Sequence, residues 1–277
     1  TRLDCRLPRP STWIGGPGGI KPDPRPWAEV STQYDFVDEL AALRDSIKGP
    51  SDRERFDYWV NSFEYLRAVG KLNCSWAEYN ASVEQVRQIS DVVGRRKAAR
   101  EIALPLRRRL VAEVSEAHRF LLQTVSTMGG MGNVANWQQH LLPTLLQQPG
   151  EELAELLGEE LPLDAVPDDR YQGPPRLFAP VVRSLLERGE DLNIRIVVLG
   201  TEPQKVRLNW KGLGETEFDA IPLNHVSRGV YSVQVPSDSI GSDFEYYVEA
   251  TDSDGGSLVF PPSAPKLNQT VVIFDPE

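Results

Sequence analysis

Residues 158–175 read "GEELPLDAVPDDRYQGPP", and the fold turns on this stretch. Its four prolines and five acidic side chains cannot continue a helix, so it reads as a linker. Before it, apolar residues recur every three to four positions. After it, they recur every second position. A switch of period from about 3.6 to 2 is a switch of architecture. The chain therefore reads as an extended Pro/Gly-rich arm (1–30), a helical bundle (31–157), the linker (158–175) and an all-β domain (176–277).

Upstream, Phe36, Val37, Leu40, Leu43 and Ile47 follow i, i+3, i+4, i+7. Gly49-Pro50 ends that helix, and Ser51 or Asp52 can cap the next. The second helix carries Phe56, Trp59, Val60, Phe63, Leu66 and Val69 on one face and is predicted to stop at Gly70. Ser75 is predicted to cap a third helix, with Trp76, Tyr79, Val83, Val86 and Ile89 inward. A fourth spans about 95–127 through Ile102, Leu106, Leu110, Val114, Ala117, Leu121 and Val125. Pro105 inside it predicts a kink or break near Glu101–Leu104. Leu141, Leu142, Leu145 and Leu146 belong to a fifth helix, and Leu153, Leu156 and Leu157 to a sixth. Short turns between such helices predict a bundle.

Downstream lie the β-rich runs "LNIRIVVL" (192–199), "KVRLNW" (205–210), "GVYSVQV" (229–235), "FEYYVEA" (244–250), "SLVF" (257–260) and "QTVVIF" (269–274). "SDGG" at 253–256 marks a hairpin turn. About seven strands in ~100 residues predict an antiparallel sandwich of the immunoglobulin or fibronectin type III kind. Trp210 and Tyr246 or Tyr247 fit its core pattern.

The net charge of -10 is spread over both halves, with 21 basic against 25 acidic side chains in 1–175 and 9 against 15 in 176–277. Neither half offers the basic surface that nucleic acid needs. The clusters Arg95–Lys97 and Arg107–Arg109 are interleaved with Glu101 and Glu113 and read as solvated helix faces. No apolar run reaches the ~20 residues of a membrane span. The two cysteines and three histidines have no metal-site spacing, so neither a metal nor another cofactor is expected. A disulfide between Cys5 and Cys74 is allowed but not demanded. The glycines at 15–19 lack the Lys-Ser/Thr of a phosphate loop. The first residue is Thr, which reads as a processed or excised product without a signal peptide.

One stretch invites a ligand: "TMGGMGNVANWQQH" at 127–140. Read structurally, Gly129 or Gly130 ends the long helix in the left-handed conformation and Asn133 caps the next. Trp137 then lies buried on the apolar stripe. Read functionally, an indole beside a hydrogen-bonding ring is what a sugar site uses. Asn136, Trp137 and His140 are therefore the candidate carbohydrate-binding residues, with Trp13 of the arm. No catalytic residue is assigned.

The helical half, "YDFVDELAALRDSIKGPSDRERFDYWVNSFEYLRAVGKLNCSWAEYN" with "MGGMGNVANWQQH", resembles the region after the catalytic barrel in large bacterial glycoside-hydrolase-like proteins. The segments "GVYSVQVP", "FEYYVEATDSDGG" and "VFPPSAPKLNQTVVIF" are similar to the sandwich that often ends such chains. The resemblance covers nearly all of the sequence and implies a non-catalytic C-terminal region in a secreted, periplasmic or cell-surface bacterial protein. Its implied partners are the catalytic domain of the same parent protein and polysaccharide. A barrel needs eight βα units and roughly 250 residues, and no βα alternation precedes residue 34. The glycosidase carboxylate pair is thus expected outside this chain. The alternatives are a carbohydrate-binding module using Trp210, Tyr231 or Tyr247, and a self-contained glycan hydrolase with its site between the two halves.

Overall fold

The computed structural model describes residues 20–168, 170–252 and 255–275. Trp13, Cys5, the glycines at 15–19 and the Ser253-Asp254 pair of the expected hairpin turn lie outside the described residues. The chain divides into two compact units. One comprises Phe56–Val125 and Gly130–Arg170 with the residues before Ile47. The other comprises Tyr171–Glu277 with Ile47–Arg55 and Ser126–Gly129.

The first unit is helical. Helices α1 (Trp27–Val30) and α2 (Asp35–Ala42) are joined by a 3₁₀ turn, so the expected arm is already helical from Trp27. Helix α3 runs unbroken over Pro50–Arg87, through the predicted stop at Gly70 and the predicted cap at Ser75. Tertiary packing overrides the glycine's poor propensity. A Cβ at Gly70 would lie 2.1 Å from Tyr34 Oη, so the bare backbone admits the Tyr34 ring against the helix. Ser75 is buried in the helix interior.

Helix α4 (Val92–Ala98) is capped by Asp91, whose carboxylate accepts from the Val93 and Gly94 amides. A π-helical turn, Ala99–Ala103, leads into α5 (Leu104–Thr124), where Pro105 sits in the first turn. That is where the proline was expected to disturb the helix, and the wider turn absorbs its missing N–H. Helix α5 ends as Val125 turns extended, not on a left-handed glycine. Gly129, Gly130 and Asn133 instead lie inside helix α6 (Met128–Asn136). Two π-helical turns, Trp137–Leu141 and Pro143–Gln147, carry it into α7 (Gln148–Leu157). Gly158 ends α7 at φ 72°, its N–H bonded to the Ala154 and Glu155 carbonyls.

The core of this unit joins Leu72, Tyr79, Val83 and Val86 of α3 to Leu110, Val114 and Leu121 of α5 and to Trp137, Leu145 and Leu153. A second cluster holds Val30, Tyr34, Val37 and Cys74. The start of the linker belongs to the helical core: Ala165 is fully buried and Leu161 packs beside it. Two residues assigned inward by period, Leu43 and Trp59, are more than half exposed, and Ile102 is exposed as well. The stripe at the start of α3 is wider than the surface available to cover it.

Among the described residues, the second unit has ten strands rather than about seven. One sheet orders β1 (Arg176–Phe178), β3 (Leu192–Leu199), β7 (Val230–Val235) and β6 (Asn224–Ser227) as β1-β3-β7-β6. The other contains β2 (Leu185–Glu187), β10 (Gln269–Phe274), β8 (Phe244–Thr251), β4 (Lys205–Gly212) and β5 (Asp219–Pro222). Its order is β2-β10-β8-β4-β5, and β9 (Ser257–Phe260) also pairs with β8. All pairs are antiparallel except β2 with β10. Alternation sets the inner faces: Ile194, Ile196 and Val198 of β3 meet Phe244, Tyr246 and Val248 of β8 in one core. The result is a β-sandwich. The strands missed in the sequence are three or four residues long, and β6 is exposed throughout, so none gives a run long enough to stand out. Among the described residues, no helix is long and apolar enough to cross a membrane.

Candidate functional site

Among the described residues, the sequence-derived sugar residues Asn136, Trp137 and His140 do not form one binding surface. Trp137 is 2% exposed. Its Nε1–H donates to Tyr65 Oη at 2.9 Å, and its ring centroid lies 5.8 Å from that of His118. The indole therefore presents no face to a sugar ring. Asn136 is half-buried, and His140, four positions on, is exposed. His118 completes the cluster; burial lowers its pKa, and its Nε2 is buried without a hydrogen-bond partner among the described residues. In the sandwich, Trp210 meets Phe244 edge-on at 5.7 Å, and Tyr247 meets Phe218 edge-on at 5.1 Å. Tyr231 is half-buried and tilted against His225.

A polar cleft forms where α5 passes α3. Glu113 occupies the buried stripe of α5 between Leu110 and Ala117, and it is only 4% exposed. Lys71 Nζ of α3 lies 3.4 Å from its Oε1, while Oε2 is buried with no hydrogen-bond partner among the described residues. A cavity of about 480 Å³ opens on this pair, walled by Pro24, Trp27, Cys74 and Ala81. Arg109 and Glu78 pair at its edge. A neighbouring hollow of about 310 Å³ shares Trp27 and Lys71. There Arg67 is held by Glu64 and Asp38, both at 2.7 Å. The segment before α1 is fixed on α3 by the Asp23 amide, which donates to the Asn73 carbonyl at 3.0 Å. Cys74 is a buried free thiol, and burial raises its pKa. The cleft offers one buried acceptor, one ammonium and one indole face. It can take a hydroxyl or amine donor on Glu113, a hydrogen-bond acceptor on Lys71, and C–H groups on Trp27.

These residues escaped the sequence reading, yet a signal for them exists. On α5 the buried positions are Leu104, Arg107, Leu110, Val111, Glu113, Val114, Ala117 and Leu121. Two charges, Arg107 and Glu113, interrupt that stripe. Arg107 is thus a correction: it is not part of a solvated face but is buried. Among the described residues, no group of three or more His, Cys, Asp or Glu side chains is placed to hold a metal.

No family model and no curated protein matches the chain. Among solved structures, it is similar to a chain from "Structural basis of T cell specificity and activation by the bacterial superantigen toxic shock syndrome toxin-1". The identity is 13% and the TM-score 0.30, over 36% of this chain and 100% of the other.

Proposed function

We propose that this chain is a non-catalytic C-terminal region of a polysaccharide-degrading, glycoside-hydrolase-like bacterial protein that is secreted or held in the periplasm or at the cell surface. Its helical unit buttresses a catalytic domain outside the 277 residues, and its sheets form an immunoglobulin/fibronectin III-like sandwich. Strand order supports the sandwich assignment. With β1, β3, β4, β6, β7, β8 and β10 taken as strands A to G, the sheets become A-B-E-D and C-F-G. Trp210 then falls on strand C, where such domains place a core tryptophan.

The observation that carries the support role is an exposed aromatic face on α3. Trp59 is 57% exposed and stacks on Phe63 at 6.3 Å; Tyr58 is exposed and packs edge-on to Trp59. Leu43, also exposed, precedes Arg44, which is ion-paired with Asp57 of α3. Large aromatics left in water mark surfaces that pack on another body. The test compares the parent protein with its Tyr58→Ala/Trp59→Ala variant. The catalytic domain is expected to lose thermal stability in the variant, while the 277-residue chain alone keeps its own midpoint and turns over no glycan. Unchanged stability of the catalytic domain would reject the support role. Turnover by the pure chain, abolished by one Asp or Glu substitution, would reject the non-catalytic reading.

The cleft favours a second reading, as a carbohydrate-binding region. Its unpaired buried Glu113 oxygen beside Lys71 and Trp27 is an arrangement that a saccharide hydroxyl would satisfy. Titration with cellotetraose, maltotetraose and xylotetraose tests it. Binding lost in Glu113→Gln supports it; no heat with any of the three rejects it.

A further inference from the structure

Helix α5 carries three consecutive arginines, and the buried one is the one without a counterion. Arg108 pairs with Asp164 at 2.9 Å, and Arg109 pairs with Glu78. Arg107 is 1% exposed, and among the described residues no carboxylate stands within ion-pair distance of it. Its Nε donates to the Ala165 carbonyl at 3.1 Å and its Nη2 to the Leu146 carbonyl at 2.7 Å. Nη1 is buried with no hydrogen-bond partner among the described residues. Burial lowers the guanidinium's pKa, and the group nonetheless keeps its charge. A buried cation held only by two carbonyl dipoles is an incomplete arrangement, because desolvation of a charge is offset in full only by an opposite charge.

The guanidinium lines a cavity of about 550 Å³, within the size range of small-molecule sites. The other walls are largely apolar: Leu142, Pro143, Leu146, Leu161 and Val166. Gly150 keeps the approach open, since a Cβ there would sit 2.8 Å from Nη2 and 3.4 Å from Leu161 Cδ1. Glu151 and Glu160 also line the cavity. Their charge disfavours a polyanion such as a phosphate monoester, and a single carboxylate meets less repulsion.

From this geometry we infer that the helical unit holds a binding site for a monocarboxylate with an apolar body. The carboxylate pairs with the Arg107 guanidinium, and an aliphatic chain or aromatic ring lies along Leu142, Leu161 and Val166. The inference is independent of the role proposed above. A charge-assisted hydrogen bond to Arg is stronger than a neutral one, and the low-dielectric walls strengthen it further.

The test uses the full chain, with sodium octanoate and sodium benzoate as probes and octan-1-ol, octylammonium and octyl phosphate as controls. Calorimetry and thermal shift are read together. Octanoate is expected to bind and to raise the melting temperature, while the alcohol and the amine do neither and the phosphate binds more weakly. Arg107→Met is expected to weaken octanoate by about tenfold or more. Val166→Trp, at the exposed side of the cavity, is expected to block the apolar walls with the guanidinium intact, again by about tenfold. The inference is overturned if neither carboxylate binds, if octan-1-ol matches octanoate, or if octyl phosphate binds more tightly than octanoate. It is equally overturned if octanoate affinity survives Arg107→Met. Should Arg107→Met fail to fold, unchanged octanoate affinity in Val166→Trp overturns it.

Discussion

One substitution, Gly→Ala, is expected to act with opposite signs at two helical sites. In a helix interior the exchange is worth about 1 kcal/mol of stability, because glycine loses more backbone freedom on folding. At Gly132, within α6, an added Cβ meets nothing within 4 Å. Gly132→Ala should therefore stabilise by about 0.5–1 kcal/mol, a rise of roughly 2–4 °C in Tm. At Gly70, within α3, the Cβ would sit 2.1 Å from Tyr34 Oη and 2.6 Å from Cζ. Tyr34 is 3% exposed and shares a cluster with Val30, Val37 and Cys74, and the Trp27 ring lies 5.6 Å away. The ring can move only by giving up contacts in that cluster, toward the hollow that it lines beside Trp27. Overpacking costs about 1–3 kcal/mol, and part of the burial of Tyr34, worth about 1.5–3 kcal/mol, is lost with it. Against the helix gain of about 1 kcal/mol, the net expectation for Gly70→Ala is a loss of about 1–2 kcal/mol. Repeating Gly70→Ala in a Tyr34→Ala background removes the obstacle, and the same change should then stabilise. Urea and thermal unfolding followed by far-ultraviolet circular dichroism report both signs. A raised Tm for Gly70→Ala in the native background, or equal shifts in both backgrounds, would refute the reasoning.

Three other outcomes are expected. Trp137→Ala should cost about 3–5 kcal/mol in chemical unfolding and leave any saccharide affinity of the folded fraction unchanged; lost affinity with an unmoved Tm would restore the site at Asn136, Trp137 and His140. Burial pushes Tyr79 and Tyr246 up to about 12 from an ordinary value of 10.0. Their contribution is fully present below pH 10 and is lost as pH rises through 12, about 2–3 kcal/mol for each tyrosine. Alkaline unfolding of Tyr79→Phe should accordingly show a shallower decline, and an identical curve would count against this. Gly158→Ala places a side chain at φ 72° and 2.5 Å from Arg96 Nη2, so its thermal midpoint should fall by at least ~1 kcal/mol equivalent; an unchanged midpoint would contradict the capping role.

The candidate site was partly legible and partly not. Mixed charge along the sequence assigned Arg107 to a solvated basic run, because three adjacent arginines look alike in sequence. What separates them is which one falls on the stripe that includes Leu104, Leu110 and Val114, together with the carbonyls of Leu146 and Ala165 that the fold brings to it. Glu113 was passed over for the same reason, as one acid among many. The glycines of 127–140 misled in the other direction. Three glycines look like a turn, yet residues from Met128 through Leu157 continue as helix, with π turns at Trp137–Leu141 and Pro143–Gln147.

By itself the sequence determined what depends on local periodicity and chain stiffness. It divided helix-period from strand-period sequence at 158–175, placed the disturbance before Pro105, and put Leu110, Val114, Ala117 and Leu121 on the buried face of α5. These follow from backbone geometry, in which 3.6 or 2 residues return a side chain to the same face. Only the tertiary structure decided what depends on which surfaces meet. A single ring, Tyr34, makes Gly70 part of one long helix. Covering decides that Trp137 is core while Trp59 stays in water. Burial distinguishes Arg107 and Glu113 from the other charged side chains among the described residues. The free energy of a buried polar atom is set by neighbours distant in sequence, and no local pattern encodes them.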